Sequence, residues 1–309
     1  MRDMPTSPDS SARQTIAVVG LGGIGGALAM ALRSADRHDV VACARRKLDR
    51  LVLERDEDIV DLPLRIVTAP EELAPADWVM LCTKAHDTPS AAPWLARLCG
   101  PHTRVAVLQN GIEHTPRTAP YVGGAAVVPV IVYYNGERLA PDRVRLRQVS
   151  SHDLVVADDA HGHAFAQALE GSGLRVHPTG DFATRAWRKL LLNVVVNPIT
   201  ALTMQRQSVL RRPDVYALCL DVLEEAAVVA RADGARIADD EPARIMALLL
   251  GAPPGLGTSM YFDRLAGKTL EIEALTGAVV AAAERHGLKT PLNRAFLVLL
   301  RAVSDAAPD

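Results

Sequence analysis

Lys189, Asn193 and Asn197 stand four residues apart in the run Trp187-Arg188-Lys189-Leu190-Leu191-Leu192-Asn193-Val194-Val195-Val196-Asn197. At helical periodicity this spacing lines a cation and two amides along one face. The residues between them are all leucine or valine, and a helix apolar nearly all round is a buried one. A lysine on such a helix can stabilise an oxygen as it becomes an alkoxide and then protonate it. Two asparagines can hold a polar substrate without adding charge. A plainer reading has the asparagines satisfying backbone groups and the lysine reaching to solvent. Taken alone, the pattern leaves both readings open.

A second set of residues points to a bound anion. Gly20-Leu21-Gly22-Gly23-Ile24-Gly25 fits G-x-G-x-x-G, directly after an apolar run and directly before a helical one. In that context the first glycine permits a tight turn, the second lets the backbone approach a pyrophosphate, and the third lets helix pack closely on strand. The phosphate would rest on the helix N-terminus, where unpaired N–H groups and the helix dipole favour anions. The end of the next strand then selects the cofactor. An NAD enzyme usually carries Asp or Glu there, but this chain has Ala44-Arg45-Arg46-Lys47. Arginine can grip a 2′-phosphate through paired charge-assisted bonds, so the cofactor is expected to be NADPH. Arg45 is the expected phosphate contact and Arg46 the residue that stacks on adenine.

These groups need a scaffold. Short apolar runs at 15–19, 38–44, 78–83, 104–108, 125–133 and 153–156 read as buried strands with helical stretches between several of them. Such alternation implies βαβ units, hence a mainly parallel sheet with helices on both faces. Beyond residue 180 the pattern is helical only. Helices are expected at 181–203, with Pro198 inside, at 214–233, closed by Gly234, at 270–286, stopped by Gly287, and from Pro291 to about 303. The division is thus a loose tail at 1–14, a Rossmann-type α/β dinucleotide-binding domain at 15–180 and an all-α domain at 181–309.

Composition bounds the rest. The 309 residues are 49% hydrophobic, 23% charged and 4% aromatic, with 34 Lys plus Arg against 36 Asp plus Glu. That apolar share excludes a disordered chain, and the balanced charge speaks against nucleic acid as a partner. No apolar run is long enough to span a membrane. Cys43, Cys82, Cys99 and Cys219 lie at no metal-ligand or redox spacing, so no disulfide and a cytoplasmic setting are expected. His161 and His163 read as a solvated turn rather than a metal site, and no metal is expected.

The remaining motifs bring a family into view. Thr83-Lys84-Ala85 follows the third run and Asn110-Gly111 the fourth. The helical half opens with Trp187-Arg188-Lys189-Leu190, Asn193 and Asn197-Pro198-Ile199-Thr200-Ala201-Leu202. Thr258-Ser259-Met260 then precedes Glu271-Ile272-Glu273. In this order and spacing the chain resembles the ketopantoate reductase (2-dehydropantoate 2-reductase) family, from Thr15 to the last helix. The resemblance implies NADPH-dependent reduction of a 2-oxo acid to a 2-hydroxy acid, ketopantoate to pantoate, in pantothenate biosynthesis. It implies that Lys189 is the catalytic lysine and Glu271 its partner, and that Asn193, Asn197 and Ser259 bind substrate. It places Lys84 and Asn110 at the cofactor and reacting centre, in a cleft between the two domains. One position departs from the pattern. Where the family commonly has a substrate-binding asparagine, three residues before Ser259, this chain has Leu256, which cannot hydrogen-bond a hydroxyl or carboxylate. A relative acting on another ketone or an imine, or a non-catalytic NADP-binding regulator, is therefore kept as an alternative. A sensor would need neither Lys189 nor Glu271. Monomer and homodimer are equally allowed.

Overall fold

The computed structural model describes residues 13–305. Of the expected tail at 1–14, residues 1–12 lie outside the described residues, while the Arg13 guanidinium donates to Asp39 at 2.6 Å. In chain order the elements begin with β1 (Thr15–Val19), α1 (Gly23–Ala35), β2 (Asp39–Cys43), β3 (Val52–Arg55), β4 (Asp58–Asp61) and β5 (Arg65–Val67). Next come β6 (Trp78–Leu81), α2 (Ala92–Leu98), β7 (Arg104–Val107), α3 (His114–Thr118), β8 (Ala126–Pro129) and β9 (Ile131–Val132). Then follow β10 (Asn135–Ala140), β11 (Arg143–Arg147), β12 (Leu154–Ala157), α4 (Ala160–Ala168) and β13 (Val176–Thr179). The rest is helical: α5 (Phe182–Thr203), α6 (Pro213–Ala232), α7 (Glu241–Gly251), α8 (Ser259–Leu265), a π-helical turn at Glu273–Gly277, α9 (Ala278–Arg285) and α10 (Pro291–Asp305).

The chain forms two compact units. One holds the residues up to Thr83, Pro89–Leu108 and Thr118–Pro178; the other holds Lys84–Thr88, Gln109–Arg117 and the residues from Thr179 onward. Two short segments that follow β6 and β7 along the chain, and that carry Lys84 and Asn110, thus belong with the helices.

The first unit is built on a six-stranded sheet in the order β5-β2-β1-β6-β7-β8, parallel throughout. Its strands are apolar on both faces because both faces are covered. Ile16 and Val18 pack with Leu28, Met30 and Leu32 of α1, whereas Ala17 and Val19 pack with Trp94 and Leu95 of α2. Strand order reverses at β1, between β2 and β6, and in open α/β sheets the crevice at the strand C-termini there is where ligands bind.

Two further sheets lie outside the parallel one, and β9 and β12, in the expected runs at 125–133 and 153–156, belong to one of them. One has the order β10-β11-β3-β4 and the other β13-β12-β9. The first of these explains an oddity of α1, whose residues Gly25 to Leu32 are all buried. Leu53, Val144 and Leu146 from that sheet, with Leu51 just before β3, share a core with Leu28 and Met30, so α1 is covered from both sides. Each large side chain so enclosed contributes roughly 1.5–3 kcal/mol. The strands of this sheet carry no continuous apolar run because their outer faces are charged. Glu54 on β3 takes Arg143 at 2.8 Å and Arg145 at 2.7 Å from β11.

The second unit is helical, packed around α5, whose residues Leu190, Leu191, Val194, Val195 and Val196 are buried among α6, α7, α9 and α10. Pro198 lies inside α5, as expected. Side chains supply donors beside the break that proline imposes: Asn197 Nδ2 donates to the Asn193 carbonyl at 3.2 Å and Thr200 Oγ1 to the Val196 carbonyl at 2.7 Å. The expected helix at 270–286 is not uniform. Leu270 and Glu271 stand before it, and the π-helical turn, closed by Gly277 N–H donating to the Ile272 carbonyl at 3.0 Å, leads into α9. The physical reason is visible at Glu271, whose carboxylate is engaged by donors from outside this helix. His161 and His163 lie in α4, where His163 pairs with Asp158 at 2.7 Å. Among the described residues no group of three or more His, Cys, Asp or Glu could hold a metal.

Candidate active site

The glycine fingerprint occupies the switch-point crevice of the first unit. Gly20 has φ +98, and a Cβ there would stand 2.8 Å from the Thr83 amide nitrogen at the end of β6. Gly25 is equally constrained, since its Cβ would fall 2.0 Å from the Gly20 carbonyl oxygen and 2.7 Å from Cys82 Cβ. Leu21 is buried and Ile24 half-buried against the core. Gly22 is the opposite case. It is exposed, and a Cβ there would meet nothing within 4 Å. Gly22 is also the N-cap of the 13-residue α1, whose first turn has no acidic residue and no side-chain cap. The loop therefore presents helix-terminal amides to an open face, which fits a pyrophosphate. Arg45 and Arg46 are exposed just beyond the end of β2, next to β1 in the sheet.

The other expected residues gather in the second unit. Glu271 is 6% exposed, and its carboxylate has three donors. Lys84 Nζ donates at 3.0 Å, the Ala85 amide at 3.0 Å and Asn110 Nδ2 at 3.1 Å. Lys84 Nζ also donates to Asp263 at 2.9 Å. Gly111 shows why Asn110 is followed by glycine: its φ is +98 and a Cβ would stand 2.4 Å from the Ala274 carbonyl of the π-helical turn.

Along α5, Lys189, Asn193 and Asn197 share one face, as their spacing predicts. Asn197 is buried, and its Nδ2 donates to Asn193 Oδ1 at 3.3 Å. The Asn197 Oδ1 accepts from Ser259 Oγ and from the Met260 amide, both at 3.4 Å. Thr258 caps α8 by accepting from the Tyr261 amide at 3.1 Å, and it bonds Thr200 of α5 at 2.7 Å. Asn197 is thus held by α8 and in turn donates to Asn193, while Ser259 remains exposed.

Electrostatics give these groups distinct states. Burial lowers the Lys189 ammonium to about 8, and the Glu271 carboxylate pulls it only partly back. Burial alone would push the Glu271 carboxyl up. The Lys84 charge, the Ala85 amide and Asn110 outweigh it and hold the group below the usual carboxylate range. Burial likewise works against the Lys84 charge, but Glu271 and Asp263 prevail and raise it above an ordinary lysine. Lys84 is thus a fixed cation, whereas Lys189 can gain or lose a proton near neutrality. His114, buried on α3, is pushed down to about 4 by its burial, with Arg117 and Lys189 adding to the effect, and so is neutral at pH 7. Its Nε2 lies 2.8 Å from the Gln109 carbonyl.

The structure refines one expectation and adds residues. Lys84 donates directly to Glu271, and the Glu271 charge also acts on Lys189. Asp263 was not singled out from the sequence. Its signal was present, because it lies four residues after Ser259 on the same short helix. His114 carried no such signal, since no spacing relates it to Lys189, whose charge acts on it.

Two family models and several known proteins match most of the chain. The model of the family described as ketopantoate reductase PanE/ApbA matches residues 16–159, and that of its C-terminal domain matches residues 181–304. A 2-dehydropantoate 2-reductase of Mycobacterium tuberculosis is 39% identical over 292 residues, covering 94% of this chain and 98% of that protein. One of Caulobacter vibrioides is 36% identical over 293 residues, covering 94% and 99%. Among solved structures, the dimeric ketopantoate reductase of Staphylococcus aureus superposes with a TM-score of 0.83 at 25% identity, covering 94% of this chain and 98% of that one.

Proposed function

The chain belongs to the ketopantoate reductase family, and from that premise we propose that it reduces ketopantoate to pantoate with NADPH. It is an oxidoreductase using a pyridine nucleotide. The choice of NADPH over NADH is inferred from Arg45 and Arg46 at the end of β2, where no carboxylate is present to accept from a ribose hydroxyl. The loop of Gly20, Leu21, Gly22, Gly23, Ile24 and Gly25 would hold the pyrophosphate, Arg45 the 2′-phosphate, and Arg46 the adenine face.

The observation that carries the reading is a half-buried lysine lowered to about 8 on the same helix face as two asparagines. When bound, the nicotinamide supplies a hydride for the carbonyl carbon. This chain's residues do the rest. Lys189 Nζ stabilises the carbonyl oxygen as negative charge develops and then gives it a proton. With the value at about 8, most of the lysine is charged at pH 7, and near neutrality it can both give up and regain a proton. Asn193, Asn197 and Ser259 orient the oxo acid through neutral donors. Glu271, kept anionic by Lys84, Ala85 and Asn110, sustains the charge on Lys189 and is placed to accept from a substrate hydroxyl. Lys84 and Asn110, expected at the cofactor, act first through Glu271.

One observation favours a second substrate. Leu256 is 44% exposed in a loop pinned by two backbone bonds, from Gln207 N–H to its carbonyl at 2.9 Å and from its own amide to Pro253 at 3.1 Å. No asparagine replaces it. A 2-oxo acid lacking the group that asparagine would bind is therefore the second reading. The test is NADPH consumption with ketopantoate beside a panel of other 2-oxo acids. Ketopantoate ranking first, with kcat/KM near about 10⁴ M⁻¹s⁻¹ or above, supports the first reading. A higher value on another acid moves the assignment to the second, and nucleotide binding with no turnover would favour the regulator.

For assembly we propose a homodimer, the state named for the Staphylococcus aureus relative. Among the described residues no helix is long and apolar enough to cross a membrane. We place the enzyme in the cytoplasm, where the buried thiols of Cys43, Cys82 and Cys219 would stay reduced.

A further inference from the structure

Gly23 is not demanded by the dinucleotide fingerprint, in which it fills a variable position, yet nothing larger fits there. A Cβ on Gly23 would stand 2.0 Å from the Gly136 carbonyl oxygen, and a Cβ on Gly136 would stand 2.4 Å from the Gly23 carbonyl carbon and oxygen and 2.7 Å from the Ile24 amide nitrogen. Two backbones far apart in sequence therefore touch at the first residue of α1. The contact has neighbours on both sides. Tyr134, 2% exposed, donates its hydroxyl to the Ile24 carbonyl at 2.9 Å. The Arg138 guanidinium donates to the Leu21 carbonyl through one terminal nitrogen and to the Pro141 carbonyl through the other.

Tyr134 stands at the bend that leads into β10, and Gly136 and Arg138 are alternate residues of the strand that share a face. In order, they meet Ile24, Gly23 and Leu21. The bend and one face of β10 therefore read three residues of the loop in reverse order, with one hydroxyl, one bare backbone and one guanidinium. The rest of the sheet supports the placement: Val144 Cγ1 of β11 would be 2.9 Å from a Cβ on Gly26. Gly22, lying between the residues gripped by Arg138 and by Gly136, is left with its outer face open. The strand thus contacts the loop on a side other than the one a phosphate would use.

We propose that this face of β10 is a template that holds the pyrophosphate loop in its binding conformation, with Arg138 as a positioning residue for nucleotide affinity. The inference rests on the reading of Gly20 to Gly25 as a nucleotide loop. The Leu21 carbonyl belongs to the peptide whose nitrogen is that of Gly22, so fixing that carbonyl fixes the peptide plane and the direction of the Gly22 N–H. A loop free to rotate that peptide would lose its aligned donors part of the time, and apparent affinity falls in proportion to the competent fraction.

The test is the affinity of the full-length protein for NADPH and NADH, by titration calorimetry, with Arg138→Ala and Arg138→Lys beside the unsubstituted chain. Arg138→Ala removes charged-donor bonds and is expected to weaken both nucleotides by the same factor, about tenfold or more. The loss should appear in the nucleotide KM rather than in the KM for the oxo acid. Arg138→Lys can still donate to one carbonyl and should recover part of it. Gly136→Ala should act through the same contact and weaken both nucleotides further if it folds, and Arg138→Ala decides the matter if it does not. Arg138→Ala binding both nucleotides within twofold of the unsubstituted chain would overturn the proposal. So would a fall in kcat and thermal stability with nucleotide KM unchanged, since that marks a purely structural role. Failure of the unsubstituted chain to bind either nucleotide would overturn the cofactor reading and this inference with it.

Discussion

If Lys189 delivers the proton, kcat/KM for reduction must follow its ionisation. The group is lowered to about 8 because burial outweighs the pull of Glu271. Below that value the lysine is charged and the rate is flat. About one unit above it, roughly one lysine in ten keeps its proton, so the rate should be roughly tenfold lower and should fall about tenfold per further unit. Glu271→Gln removes the anion that pulls Lys189 upward, and the break should move to lower pH. Lys189→Arg keeps a charge but holds its proton throughout the range, so the break should vanish along with most of the turnover. Lys189→Ala should cost about 10²- to 10⁴-fold in turnover, the usual worth of a general acid, while leaving the Kd for NADPH nearly unchanged. The assay is initial rate of NADPH consumption across pH, with Kd measured separately by titration. Turnover by Lys189→Ala within about tenfold of the unsubstituted enzyme would remove the general-acid role. A break that stays in place in Glu271→Gln would refute the electrostatic link between the two groups.

Other perturbations read other parts of the structure. Arg45→Ala should raise the Kd for NADPH while leaving that for NADH nearly unchanged; equal loss for both would count against the 2′-phosphate contact. Gly25→Ala places a Cβ 2.0 Å from the Gly20 carbonyl and should cost about 3 kcal/mol of stability by overpacking, read from the denaturant midpoint. Gly22→Ala meets nothing within 4 Å and should keep stability within about 0.5 kcal/mol while weakening nucleotide binding. Lys189 also links stability to pH. Its folded value, about 8, lies below the unfolded value of about 10.4, so the unfolded chain binds more proton between them. The contribution of this group to stability should therefore rise as pH climbs from about 8 to about 10.4, by at most about 3 kcal/mol. The difference in denaturant midpoint between the unsubstituted chain and Lys189→Met across that window measures it, and a difference that falls or stays flat would contradict the sign.

How far the sequence could be read depended on whether a feature was local. The fingerprint and its flanking strand and helix fall within one short stretch, where spacing specifies conformation, and the parallel sheet followed from repeated apolar runs. The face of Lys189, Asn193 and Asn197 was legible for the same reason, because helical periodicity alone brings them together. The sheet of β10, β11, β3 and β4 was not. Its buried positions are a few isolated residues such as Val144 and Leu146, set among arginines and glutamates that pair across the outer face. Arg143-Val144-Arg145-Leu146-Arg147 does alternate with strand period, and that signal was there to be used. The three donors on Glu271 come from positions 84, 85 and 110, and no periodicity relates them to residue 271. The uniform helix expected at 270–286 failed at the same place, since helical propensity does not know that a side chain has partners elsewhere. Gly23 illustrates the limit most plainly: its neighbour Gly136 lies on a strand the apolar pattern did not reveal.

The central claim is that this chain moves a hydride from NADPH to the 2-keto carbon of ketopantoate. Its most direct test is turnover of ketopantoate with NADPH deuterated in turn on each face of the nicotinamide, followed by mass spectrometry of the product. Pantoate is expected to carry deuterium at C2 from one of the two labelled cofactors and none from the other. Pantoate without label from either, or no pantoate while another 2-oxo acid is reduced under the same conditions, would contradict it.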